Sequence, residues 1–370
     1  MNKNTGLIKP DFLILDGLRG IASVYVVLNH CRGNLLMGGS EFSKIAPVSQ
    51  WSIATKLYYL LLQFTSLGRE FVIFFFVLSG FSIAYSLSKN NQVLAFYKRR
   101  LIRLYPPYIL ALIWAAFIFF IVTKFAPVQL KPEMKSVFNN FTYVICNIFY
   151  IPKGDLIAPF WSLTHEVIFY VLIPFFYLKR LHYYVIFSLI GYFLGYVINW
   201  NGTELGSIIG QFLLDYNIYF ALGILLYTNF SKAKSIFVMR KAIFGCTICF
   251  ALILMIIIKL YFGIDNKISL IISAFLSVIM IINFLHYEIC SKLLEFFGKM
   301  SYTIYITHFA SMYLFIVIVN KFIPTYHTDI MEWYVWILGV IFCLLFAVPL
   351  YYLAEYPSKK VLQSIRKHHG

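Results

Sequence analysis

The chain has 370 residues, of which 61% are hydrophobic, 19% aromatic and only 12% charged. A soluble domain cannot bury so much apolar surface, so the composition indicates a helical membrane protein surrounded by membrane lipid. The net charge of +16 alone would suggest a nucleic-acid ligand, but the basic residues concentrate between apolar runs, as they do in oriented membrane proteins. We therefore expect no nucleic-acid partner.

The apolar runs predict an all-α polytopic membrane protein with about ten transmembrane helices, forming a single domain over residues 1–370 with no fused soluble domain. The first run lacks a small-residue cleavage site and contains Arg19, so we expect it to be retained as a helix. The third helix is predicted to begin at Pro106, because proline is favoured at a helix start. In chain order, the ten predicted helices are Phe12–Cys31, Phe71–Ser88, the helix that begins at Pro106, Phe160–Leu178, Tyr183–Trp200, Ile208–Tyr227, Ile243–Phe262, Ile268–Leu285, Tyr302–Phe322 and Trp333–Leu353.

Two long connections, 33–70 and 125–159, interrupt this series. Within the first, Leu57–Phe64 is apolar but too short to span. Within the second, the run 137–151 is interpreted as interfacial or re-entrant. The short loops on the N-terminal side of the membrane are richer in Lys and Arg than those on the other side. The positive-inside rule therefore predicts that both termini are cytoplasmic.

The first helix contains charged residues in an otherwise apolar run. Arg19 and His30 are eleven residues apart, which is about three turns at ~3.6 residues per turn, so they share a face. Asp16 and Ser23 lie on the same stripe. A charged residue inside a spanning helix usually faces a protein interior or a watery cavity and marks a functional site. Two simpler interpretations stay open: Arg19 reaches the membrane interface and is neutralised by Asp16, and His30 is an interfacial histidine.

A basic segment, FYKRRLIRLYPPY, starts at Phe96. Arg99, Arg100 and Arg103 are spaced so that one helical turn would present a cationic cluster. Guanidinium groups suit bidentate phosphate binding, so a phosphorylated cytosolic donor is one interpretation. A topology signal is the other.

Two further polar groups interrupt later helices. Trp161, Ser162, His165 and Glu166 lie at the start of the fourth, near the predicted outer face where His30 also lies, and a histidine with a glutamate is a workable general-base pair. Alternatively, Glu166 is a structural partner of Arg19 or of another cation. Tyr302 and His308 belong to a polar stripe on the ninth helix.

Small residues and cysteines have structural interpretations. Gly80 and Ser79, within FFFVLSGF, favour close helix packing. Cys246 and Cys249 form a C-x-x-C motif with no matching His or Cys pair, so we expect neither a metal site nor a disulfide.

Taken in order, these motifs resemble the acyltransferase family 3 proteins, bacterial inner-membrane enzymes that O-acylate surface glycans. The resemblance covers nearly the whole chain and rests on LDGLRG at Leu15, the R-x10-H of the first helix, FFVLSGF, KRRLIRLYPPY, FWSLTHEVIFY, MSYTIYITH and EYP at Glu355. It implies that Arg19 and His30 are essential, that Arg99–Arg103 lies towards the acyl-CoA site, and that Glu166 matches the family's glutamate after FWSL. His165 departs from the pattern, because the family more often has an acidic or small residue there.

The resemblance implies O-acyl transfer, with acetyl-CoA or another acyl-CoA as the donor substrate and no bound cofactor. The acceptor would be a hydroxyl of a cell-surface or lipid-linked glycan, such as a polysaccharide or lipopolysaccharide, at a bacterial inner membrane. His30 would deprotonate that hydroxyl or carry the acyl group, oriented by Glu166 or another carboxylate. The predicted substrate-binding residues are Trp161, Ser162, His165, Tyr302 and His308.

A carrier for a lipid-linked sugar or a small anion is the alternative, because a polar stripe across a helical bundle also fits transport. The basic cluster and the lack of a recognisable repeat favour the enzyme, since many carriers contain inverted repeats. A purely structural membrane protein would leave Arg19 unexplained.

Overall fold

The computed structural model describes residues 11–89, 92–125, 141–177, 181–198, 203–263, 266–322 and 333–368, and within them every regular element is a helix. The all-α class is therefore confirmed. The helices are α1 (Phe12–Leu35), α2 (Gly39–Ile45), α3 (Ile53–Leu62), α4 (Gly68–Lys89), α5 (Val93–Phe125), α6 (Phe141–Ile148), α7 (Trp161–Tyr177), α8 (His182–Val197), α9 (Glu204–Gln211), α10 (Asn217–Thr228), α11 (Phe230–Phe237), α12 (Lys241–Phe262), α13 (Lys267–His286), α14 (Lys292–Lys299), α15 (Ser301–Phe322), α16 (Trp333–Leu350) and α17 (Tyr356–His368).

Nine stretches of the described residues are long and apolar enough to cross a membrane, so the protein is a multi-pass membrane protein. The predicted fifth helix corresponds to α8, which is apolar but has only 16 residues. Helix α6 has 8 residues and is too short to span, while residues 126–140, where the re-entrant run begins, lie outside the described ranges. The cytoplasmic position of both termini stays a prediction.

The predicted start of the third helix is wrong. Helix α5 begins at Val93, so Pro106 and Pro107 lie inside it. Proline removes one backbone hydrogen bond from a helix interior, but membrane helices tolerate this when neighbouring groups satisfy the freed carbonyls. The carbonyls that lose their usual donors are those of Ile102 and Arg103, and one residue later the Tyr302 hydroxyl donates to the carbonyl of Leu104 at 3.2 Å. The basic segment is therefore part of a continuous helix.

The chain divides into two compact units. The first unit comprises Met1–Ala22, Arg69–Lys98 and Ser162–Lys299. Two glycine contacts bring its helices close together. A Cβ on Gly80 of α4 would clash with the carbonyl oxygen of Phe220 on α10, and a Cβ on Gly20 of α1 would lie 2.6 Å from the nitrogen of Gly298. The packing role predicted for Gly80 is confirmed.

The first unit also contains a buried ion pair. Glu70 of α4 is 1% exposed and accepts from Nζ of Lys259 on α12 at 3.1 Å. Its other carboxylate oxygen accepts from the Ser269 hydroxyl at 2.8 Å, and its backbone carbonyl accepts from Ser273 at 2.6 Å. Both carboxylate oxygens and the backbone carbonyl of Glu70 therefore accept a hydrogen bond. A buried charge needs such partners, because burying it without them is costly.

The second unit comprises Ser23–Gly68, Arg99–Trp161 and Met300–Gly370. The carboxylate of Glu355 accepts from the backbone nitrogen of Thr303 at 3.0 Å and from its hydroxyl at 2.6 Å. A carboxylate placed against the N-terminal turn of a helix satisfies a free backbone donor and complements the helix dipole. Glu355 thus anchors the start of α15. It is the last residue of a π-helical turn, Tyr351–Glu355, that joins α16 to α17.

Candidate active site

Within the first unit, Arg19 connects α1 to α4. Its Nη1 forms an ion pair with Asp16 Oδ1 at 2.6 Å, and its Nη2 donates to the hydroxyl of Ser82 at 2.7 Å. The Arg19 side chain is 12% exposed. Asp16 therefore pairs with Arg19, and the same guanidinium is held against α4 by Ser82.

Glu166 of α7 contacts the same face of α4. Its Oε1 accepts from the hydroxyl of Ser79 at 2.8 Å and from the hydroxyl of Tyr170. Both donors to Glu166 are hydroxyl groups, and the hydrogen bonds of Arg19 go to Asp16 and Ser82. These contacts do not support the alternative in which Arg19 is the partner of Glu166. Ser79 and Ser82 are three residues apart on α4 and hence lie on one face of that helix. The Arg19 and Glu166 groups therefore meet α4 one turn apart.

The neighbouring His165 has different surroundings. It is 2% exposed, and the centroid of its ring lies 4.5 Å from the ring centroid of Tyr216. Tyr216 belongs to the π-helical turn Phe212–Tyr216. Ser162 is also buried, whereas Trp161 is partly exposed. Consecutive residues of a helix point about 100° apart, which explains why His165 and Glu166 make separate contacts. The substrate-binding roles of these three residues stay predictions.

Within the second unit, His30 of α1 pairs with His308 of α15. The Nδ1 of His30 lies 2.7 Å from the Nε2 of His308. His308 is 1% exposed, and its Nδ1 lies 2.8 Å from the carbonyl oxygen of Tyr305 and 3.2 Å from that of Ile304. His30 is partly exposed. We expected a carboxylate to orient His30, but the group on its Nδ1 is a second histidine.

Two thiols lie beside this pair. Cys343 of α16 donates to the backbone carbonyl of His308 at 3.4 Å, and its sulfur is 3.8 Å from that of Cys31. Both cysteines are buried and are free thiols.

The three arginines of the basic segment all lie on α5, so their predicted helical spacing is confirmed. Arg99, Arg100 and Arg103 are each partly buried. Tyr302, which we predicted to bind substrate, instead has its hydroxyl on the carbonyl of Leu104. Its predicted role stays untested.

The sequence reasoning missed three polar residues of the site. Ser79 was assigned to packing only, and Ser82 and Tyr170 were not singled out. The available signals were the spacing of Ser79 and Ser82 in an apolar helix, and the position of Tyr170 one turn after Glu166.

Comparison with known proteins gives two matches. The family model Acyl_transf_3, described as an acyltransferase domain, matches residues 12–352. The chain is also similar to the acyltransferase MdmB of Streptomyces mycarofaciens, with 31% identity over 124 residues. That alignment covers 32% of this chain and 30% of MdmB, so it spans less than a third of the relative's length. No solved structure matches.

Proposed function

Because the chain belongs to the acyltransferase 3 family, we propose that it transfers an acetyl group from cytosolic acetyl-CoA to a hydroxyl of a cell-surface or lipid-linked glycan. The protein would act in the inner membrane of a bacterium. The proposal thus adds three elements to the family's acyl transfer: the acetyl-CoA donor, the glycan acceptor and the inner membrane as the location.

The observation that carries the proposal is the environment of His30. Its Nδ1 is held at 2.7 Å by the buried His308, while His30 itself is partly exposed. Hydroxyl acylation needs a base that a reactant can approach and that the protein holds in one orientation. His30 has both properties.

The proposed reaction is a displacement at the thioester carbonyl. His30 removes the proton of the acceptor hydroxyl as its oxygen attacks that carbonyl, forming the new C–O bond. The C–S bond breaks, and the CoA sulfur leaves as a thiolate that takes up the proton. The products are the O-acyl ester and CoA. In the alternative, His30 would first take the acyl group from CoA and then pass it to the acceptor hydroxyl.

The arginines of α5 support the choice of donor. Arg99, Arg100 and Arg103 lie within two turns of one helix, and guanidinium groups bind phosphate as bidentate, charge-assisted partners. CoA carries phosphates and is cytosolic. A group of cations on one helix at the predicted cytoplasmic side of the membrane is therefore suited to the nucleotide end of CoA.

Membrane vesicles containing the protein, supplied with acetyl-CoA labelled in the acetyl group, test this proposal. We expect label in the glycan fraction, with each modified sugar heavier by one acetyl group in mass spectra. The His30→Ala variant should give none, whereas His182→Ala, which alters an exposed histidine on α8, should behave as wild type. Uptake of a lipid-linked sugar without any transfer would instead support a carrier.

A further inference from the structure

The two rings of the His30–His308 pair lie edge to edge. Their planes differ by only 5°, and their centroids are 5.0 Å apart. The facing nitrogens are 2.7 Å apart, and adding the distance from each nitrogen to its own ring centre reproduces the distance between the centroids. The geometry is that of an in-plane N–H···N hydrogen bond, so one of the two nitrogens carries the proton and the other accepts it.

The backbone decides which nitrogen of His308 is protonated. Carbonyl oxygens only accept hydrogen bonds, and the carbonyls of Tyr305 and Ile304 both face Nδ1 of His308. Nδ1 of His308 must therefore be an N–H donor. The assignment follows from partners and not from observed hydrogens.

The burial of His308 favours its neutral form. The ring is 1% exposed, and its polar contacts in the described residues are His30 and the two carbonyls, none of them a carboxylate. A buried charge without a counter-ion is costly. A neutral imidazole with a proton on Nδ1 has a lone pair on Nε2, so Nε2 of His308 is an acceptor.

The geometry points to His308 as the positioning residue that fixes the tautomer of His30: His30 donates from Nδ1 to His308 and keeps its Nε2 unprotonated as the base. The inference rests on the proposed function, and it assigns His308 a role other than substrate binding. The backbone carbonyls set the tautomer of His308, and His308 sets that of His30. The reactive lone pair then lies on the nitrogen of His30 opposite the buried partner.

The surroundings of His308 keep this chain of hydrogen bonds rigid. The Tyr305 hydroxyl donates to the carbonyl of Pro159 at 2.9 Å, and Cys343 donates to the carbonyl of His308. One turn earlier, Glu355 holds Thr303. Helix α15 is thus fixed on both sides of the carbonyls that orient His308.

Two substitutions separate positioning from packing. His308→Gln keeps an amide oxygen that can accept from Nδ1 of His30, whereas His308→Leu removes the acceptor and keeps similar bulk. We expect His308→Leu to lower kcat by about 100-fold or more, because a general base contributes about 10²- to 10⁴-fold. The KM values for acetyl-CoA and for the acceptor should stay nearly unchanged. His308→Gln should retain at least about a tenth of the wild-type kcat.

Thr307→Val is the matched control. Thr307 is as buried as His308 and lies beside it, but its hydroxyl donates to the carbonyl of Thr303 within α15 at 2.8 Å. Its kcat should equal that of wild type. Wild-type kcat in His308→Leu, or equal loss in the Leu and Gln variants with unchanged thermal stability, would overturn the inference. Inactive wild-type protein would instead count against the proposed function.

The tautomer itself provides a readout that does not need activity. In protein labelled with ¹⁵N-histidine, the His30 resonances are identified by their loss in His30→Ala. We expect Nε2 of His30 to show the chemical shift of an unprotonated ring nitrogen in wild type, and a mixture of both tautomers in His308→Leu. A protonated Nε2 in the wild-type protein would refute the assignment whatever the enzyme assay shows.

Discussion

Arg19 donates to Ser82 at 2.7 Å while its other terminal nitrogen holds Asp16 at 2.6 Å. A planar guanidinium can satisfy both partners at once because its donors diverge in a fixed fork. The charge and the orientation of this side chain are therefore fixed together.

Replacing Arg19 by lysine separates these two properties. A lysine ammonium keeps the charge but cannot reproduce the two diverging bonds, so we expect Arg19→Lys to lose about tenfold to a hundredfold in acyl transfer. Ser82→Ala removes one of the two bonds and should lose less. Transfer by purified protein in nanodiscs measures both. Full activity in Arg19→Lys would mean that the charge alone is needed.

The carboxylate of Glu166 supports a second prediction. Because Ser79 and Tyr170 share its Oε1, Glu166→Gln can keep one oxygen acceptor for both hydroxyls while it loses the charge. If Glu166 acts through its charge, Glu166→Gln lowers kcat by about tenfold or more, within the range typical of acid–base groups. Tyr170→Phe, which leaves the charge in place, should then be milder. The reverse order of the two variants would assign Glu166 to hydrogen bonding alone.

The sequence predicted features that depend on local spacing. It predicted that Arg19 and His30 share one helix, and α1 is continuous from Phe12 to Leu35. It also predicted the close approach at Gly80, because a residue without a Cβ has few other uses in an apolar helix.

Two features were beyond the reach of local patterns. His30 and His308 are 278 residues apart, so no spacing rule relates them, and only the packing of α15 brings them together. The start of α5 was misplaced because the preference of proline for helix starts was applied to prolines that lie inside a membrane helix, where proline is tolerated.

The buried pair Glu70–Lys259 should contribute strongly to stability. Removing one partner of a buried ion pair leaves an uncompensated charge and typically costs about 3–5 kcal/mol. We expect Lys259→Met to lower the thermal unfolding temperature in detergent markedly, and Lys259→Met with Glu70→Gln to recover part of the loss. The control is Lys299→Met at the exposed pair with Glu295, where about 0–1 kcal/mol is expected. Equal shifts at the two lysines would contradict this account.

The predicted orientation is testable across the segment that contains α9 and α10. Cysteines placed at Thr203 and Lys234, which flank the candidate span Leu205–Thr228, should react from opposite sides of the membrane. The exposed Cys246, Cys249 and Cys290 are first replaced by serine. In intact cells, a membrane-impermeant maleimide should label Thr203→Cys and not Lys234→Cys, because Lys234 is predicted to be cytoplasmic. Labelling of both from the outside would contradict the topology.

The last prediction concerns the arginines of α5 as the donor site. A charge-assisted hydrogen bond contributes about 1.5–3 kcal/mol, so losing one phosphate contact should weaken donor binding by about ten- to a hundredfold. Arg100→Ala or Arg103→Ala should therefore raise the KM for acetyl-CoA in inside-out vesicles and leave acceptor dependence nearly unchanged.

Arg240→Ala is the matched control for this experiment. Arg240 is an exposed arginine just before α12, predicted to lie on the same side of the membrane, and its loss should not alter the KM for acetyl-CoA. If the cluster serves only to orient the protein, the two single variants and their double variant keep wild-type donor dependence, since other cations remain on that side. That outcome would remove the donor-site assignment. A raised donor KM with an unchanged acceptor KM would instead separate donor binding from the chemistry at His30.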